Sequence, residues 1–117
     1  MTRWEPWSYS EEVGSSSKDL IGFRVEAADG HIGKVDEASY DVGSSHLVVD
    51  TGPWIFGKKV LLPAGIIENV DRENKQVYVG RSKDEIKNSP PFDAVMYREP
   101  EYRGEIGNYY GRFYPNY

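Results

Sequence analysis

His31 and His46 are the only side chains of this 117-residue chain that ordinarily titrate near neutrality, and the chain has no cysteine. To act as a base or a metal ligand, either histidine needs convergent partners. Asp29, Asp41 and Asp50 are the nearest in sequence. One histidine falls in a turn and the other opens a strand-like run, so both read as solvent-facing imidazoles. The missing cysteines exclude a thiol nucleophile, a disulfide scaffold and a thiolate zinc site. No serine occupies a Gly-x-Ser-x-Gly elbow, and no Gly-x-x-x-x-Gly-Lys-Ser/Thr phosphate loop occurs. Gly30-His31-Ile32-Gly33 matches the Gly-x-x-Gly loop that clamps a nucleic-acid backbone. That loop needs helices on both sides, and strand-like segments flank this one. Asp36-Glu37 would point to opposite faces of a strand, and Glu85 of the pair Asp84-Glu85 fits a capping box. The reading is a chain with no catalytic residue, cofactor or metal.

Chemistry of binding is better represented. Gly52-Pro53-Trp54-Ile55-Phe56-Gly57 sets three large apolar side chains at a hairpin tip, followed by Lys58 and Lys59. Trp54, Ile55 and Phe56 either plug one end of the fold or anchor a partner or second subunit, a role aromatics commonly fill. Residues 94–117 hold six of the nine tyrosines: Tyr97, Tyr102, Tyr109, Tyr110, Tyr114 and Tyr117. Arg98, Arg103 and Arg112 balance Glu99, Glu101 and Glu105 there, and can stack on the rings or pair with the acids. The segment reads as an adhesive tail, ordered against a sheet surface of its own chain or a neighbour's.

These groups are positioned by three zones. Residues 1–18 form a flexible leader with Pro6, Gly14 and a serine run, in which Trp4, Trp7 and Tyr9 are unusual company. Residues 19–93 are the globular part. Phe23, Val25 and Ala27 alternate with Arg24 and Glu26 as in a half-buried strand. An Asp29-Gly30 turn follows, and Gly33 marks a bulge in the second strand. Gly22, Gly30 and Gly33 stand where side chains would obstruct close backbone approach. Further strands read at 46–50, 58–63, from Ile66 and at 76–79, and Ser82-Lys83-Asp84-Glu85 opens a short helix ended by Pro90 and Pro91. Residues 94–117 are the tail, where Pro100, Gly104, Gly107, Gly111 and Pro115 argue against a long regular element. A chain cut after Asp93 would on this reading keep its fold.

The opening pattern, Leu20-Ile21-Gly22-Phe23-Arg24-Val25 followed by Asp29-Gly30-His31-Ile32-Gly33-Lys34-Val35, resembles the first hairpin of the PRC-barrel family. That small β-barrel occurs in the photosynthetic reaction-centre H subunit and in a ribosome maturation factor. Residues 48–64 are similar to the central part of the stand-alone bacterial members, and residues 83–93 to their closing helix and proline pair. The resemblance implies an all-β fold: a small PRC-type barrel of about six strands, one short C-terminal helix, and irregular tails at both ends. It also implies a docking role, in protein–protein or ribonucleoprotein assembly. Neither tail belongs to the shared pattern.

Composition narrows the role. A net charge of -5 disfavours general nucleic-acid binding, and no apolar run is long enough to span a bilayer. The N-terminus lacks the apolar core of a secretory signal, so a cytoplasmic protein is expected. The function that follows is a non-enzymatic interaction module whose partners are itself, as a homodimer or higher homo-oligomer, and another protein. A ribosome- or RNA-associated factor is the second reading, and a small-molecule or pigment-binding barrel a distant third.

Overall fold

Apolar and polar residues that alternate, or run together where both faces are covered, become six strands in the computed structural model. It describes residues 3–9, 20–39, 43–54 and 58–116. The strands are β1 (Arg24–Ala27), β2 (Gly30–Ser39), β3 (His46–Asp50), β4 (Lys59–Pro63), β5 (Ile67–Asp71) and β6 (Gln76–Val79). They form one open mixed sheet in the order β4-β3-β2-β1-β6-β5, with β1 parallel to β6 and every other pair antiparallel. Val25 and Ala27 of β1 are buried between exposed Arg24 and half-buried Glu26, as their alternation requires. In β3 and β4 four successive residues are buried, so both faces of those strands are covered.

The bulge expected near Gly33 is present. Val25 faces Gly33 while Glu26 faces His31, which leaves Ile32 as the extra residue of β2. Gly33 has φ +155, and a Cβ there would lie 2.1 Å from the Asp50 carbonyl oxygen, so only glycine lets β2 pass β3 this closely. A second irregularity at Asp36 restores the phase, since Val35 faces Val49 and Glu37 faces Val48. A third, at Glu68, lies on the edge strand β5. There the Asn69 side chain accepts the Val70 N–H at 2.9 Å, and bulge and bond together blunt the edge against another chain.

Helix α1 (Lys83–Lys87) begins at the capping box read from its residues. Glu85 N–H donates to Ser82 Oγ at 3.1 Å and Ser82 N–H to Glu85 Oε1 at 2.9 Å. Asp29 Oδ1 accepts the Lys83 N–H at 2.8 Å and so ties the first hairpin turn to the helix.

The irregular tail expected over residues 94–117 is corrected by α2 (Pro100–Gly111), a 12-residue helix. Pro100 does not break it, because at the first helical position its missing N–H is not needed and its φ is already helical. Each glycine costs about 1 kcal/mol against alanine. That cost is outweighed by Tyr102, Ile106 and Tyr110, which repeat every fourth residue and join the hydrophobic core. The core therefore extends past Asp93, and the fold expected for a chain cut there loses these side chains.

At the other end, residues 3–9 form no helix or strand but are held in place. Gly65 N–H donates to the Pro6 carbonyl at 2.9 Å and Ser45 N–H to that of Trp7 at 3.1 Å. Residues 10–18 of the leader, Ile55 and Phe56 of the loop, and Tyr117 of the tail lie outside the described residues. No helix among the described residues is long and apolar enough to cross a membrane.

Candidate functional site

The chain reverses between β3 and β4 because Thr51 closes the loop, its N–H and hydroxyl both donating to the Lys58 carbonyl at 3.3 and 2.8 Å. Trp54 N–H then donates to the Thr51 carbonyl at 3.1 Å, which turns the ring back onto the fold. Trp54 is half-buried against the core, with Lys83 Nζ 5.3 Å from its ring centroid. The cation over its ring is thus Lys83 of α1.

Lys58 and Lys59 line a groove of about 530 Å³ with Lys87, Val60, Pro91 and Phe92. Lys59 Nζ is held 2.7 Å from Asp36 Oδ2, a hydrogen bond that raises its pKa, while Lys58 and Lys87 are exposed. Next in the chain come Val95, 83% exposed, and Met96, 42% exposed. Asp93 Oδ1 accepts both their N–H groups, at 2.9 and 3.1 Å, and this turn presents the two side chains outward. Sequence reading missed this pair. Its signal was an apolar dipeptide just after a carboxylate able to cap the turn.

The described tail tyrosines face inward. Tyr97 donates to Glu37 Oε1 at 3.1 Å, and its ring meets those of Phe92 and His46 at centroid distances of 5.1 and 6.0 Å. Tyr102 donates to the Pro91 carbonyl at 3.0 Å, and Tyr109 to that of Glu85. Tyr114 stacks on Trp4, centroids 4.1 Å apart and planes within 4°. Burial pushes the Tyr102 hydroxyl up to about 12, helped by Asp93 and Glu105, and burial likewise raises Tyr110. Arginines cover the outer ring faces, Arg98 on Tyr97 at 5.0 Å and Arg112 on Tyr109 at 4.5 Å. The rings therefore bind α2 and its flanks to the chain's own core, through α1, the proline pair, the leader and the strands β2 and β3.

Of the two histidines, His31 is exposed as expected and contacts the Glu26 carboxylate. His46 is a correction: it is buried, at 8% exposure, because the strand it opens is covered on both faces. Its Nδ1 lies 2.8 Å from the Ser44 carbonyl, which can only accept, so Nδ1 carries the proton. Trp7 and Tyr97 meet the ring edge-on, at 6.5 and 6.0 Å. Desolvation lowers the His46 pKa, with Arg98 and Arg103 adding to the effect and the Ser44 bond and Glu37 opposing it. Among the described residues no group of three or more histidines and carboxylates could hold a metal ion. Asp36 and Glu37 diverge, one to Lys59 and the other to Tyr97.

No family model matches this chain, and comparison with curated proteins gives no match either.

Proposed function

We propose that this chain is a non-enzymatic interaction module on a PRC-type barrel, working as a homo-oligomer in a bacterial cytoplasm. The observation that carries the reading is the apolar pair Val95 and Met96, held outward beside the groove of Lys58, Lys59 and Lys87. Exposed aliphatic side chains next to a concave, partly apolar surface are what a partner would cover. Irregularities at Ile32, Asp36 and Glu68 support a sheet that curls, since each bends its strand. A core this small gains stability when copies associate. Binding to RNA, as a ribosome-associated factor, is the second reading, favoured by Phe92 lying among the groove lysines and opposed by the net charge of -5.

Light scattering of the intact protein at micromolar concentration tests this. The expected mass is about twice the 13.3 kDa of one chain, falling to one chain in a Val95→Asp, Met96→Asp double variant whose melting is unchanged. A single-chain mass for the unaltered protein would remove the homo-oligomer. Nuclease-sensitive RNA that copurifies with the chain and is lost in Lys58→Glu, Lys87→Glu would favour the second reading.

A further inference from the structure

A second groove, of about 640 Å³, lies where the end of β2 and the start of β3 meet the segment leading into α2. Its walls include Arg98, Arg103, Glu37, His46 and Tyr97. Arg103 Nε is shut off from solvent without a hydrogen-bond partner, and its guanidinium makes no ion pair among the described residues. Arg98 stands at the mouth, 76% exposed in its side chain, with its nearest carboxylate oxygen, Glu37 Oε1, 4.0 Å away. That oxygen also accepts the Tyr97 hydroxyl at 3.1 Å, so Glu37 is shared between Tyr97 and Arg98 while Arg103 Nε keeps an open donor. Two arginines against one glutamate leave the groove one positive charge in surplus, within a chain of net charge -5.

We propose that this groove, which His46 and Tyr97 also line, binds one organic monocarboxylate, its two oxygens taken by Arg103 and Arg98. A carboxylate brings one charge, which matches the surplus, and two acceptor oxygens, one for each guanidinium. A doubly charged phosphate would set its second charge against Glu37. The groove is much larger than a carboxylate group, which leaves room for an aliphatic or aromatic body. The carboxylate belongs either to a free acid or to the C-terminus of a peptide. The proposal stands apart from the oligomer reading, because none of its residues lines the lysine groove.

His46 is a built-in reporter, with His31 as its control, since the chain has no third histidine. In NMR spectra of the full labelled chain, benzoate and a pentapeptide with a free C-terminus are titrated separately. Inorganic phosphate and the same peptide as its C-terminal amide are the comparators. At least one carboxylate should shift the His46 ring signals saturably at millimolar concentration and leave those of His31 in place, and the tighter of the two names the source. Arg103→Gln should weaken that binding by about tenfold or more, and the exposed Arg98→Gln by less, with spectra that still report a folded chain. Three outcomes would overturn the proposal: no saturable shift with either carboxylate, unchanged affinity in both arginine variants, or tighter binding of phosphate or the amide.

Discussion

Trp54 and His46 sit where sequence offers two readings and packing chooses between them. A tryptophan at a hairpin tip looks like an anchor, but the Thr51 bond turns it inward to meet the core and Lys83. Trp54→Ala should therefore lower stability by about 2–4 kcal/mol and leave the association constant unchanged. Weaker association with an unchanged melting temperature would restore the anchor reading. His46 looks exposed from its polarity alone, yet its ring is buried and its pKa lies below the usual 6.5. The unfolded chain then binds the extra proton more readily, so stability is full above pH 6.5 and falls as the pH drops through the lower folded value. Tyr102 works in the opposite sense. Raised from 10.0 to about 12, it contributes stability fully present below pH 10 and lost as the pH climbs toward 12. Denaturant titrations from pH 5 to 12 should show both flanks, and His46→Gln should flatten the acid one alone.

At the scale of elements, legibility follows the strength of the local signal. The strands were legible because β-branched and leucine residues alternate or cluster in runs too short for a helix, and α1 because Ser82 and Glu85 satisfy each other's backbone. Helix α2 was hidden by its own composition. Tyrosine joins an apolar ring to a polar tip, so the recurrence of Tyr102, Ile106 and Tyr110 does not stand out as a hydrophobic stripe. Glycine and proline content was read as a prohibition, although a proline at the first helical position is a start signal. The Val95–Met96 turn was written locally, in Asp93 and the apolar pair that follows it, whereas the Arg98–Arg103 groove was illegible because it needs β2 and β3 to meet these residues in space. Because Ile106 is fully buried, Ile106→Ala should cost about 2–5 kcal/mol in chemical denaturation, a loss that a dispensable tail would not show.

On the scale of the whole molecule, the described parts of the three zones pack together, because residues near the two ends of the chain clasp each other. Trp4 N–H donates to the Asn116 carbonyl at 3.1 Å, its indole N–H to that of Gly65 at 2.9 Å, and its ring stacks on Tyr114. Gly65 is the keystone. A Cβ there would lie 2.2 Å from the Glu5 carbonyl oxygen and 2.9 Å from Pro6 Cα, so any side chain drives residues 4–6 off the sheet. Gly65→Ala should therefore cost about 2 kcal/mol through the Trp4 and Pro6 hydrogen bonds and the Trp4 stack. The loss should spread: faster amide exchange at Ser45, whose N–H is held by Trp7, and in the last turn of α2, whose flank carries Tyr114. Gly104→Ala is the matched control, since a Cβ there meets nothing within 4 Å and lies in a helix. It should stabilise the chain by about 1 kcal/mol. If Gly65→Ala left exchange at Ser45 and in α2 untouched, leader and helix would be independent attachments to the sheet. Exchange that rises at both sites together would instead mean that the leader helps hold α2 down, and with it the arginine groove where α2 begins.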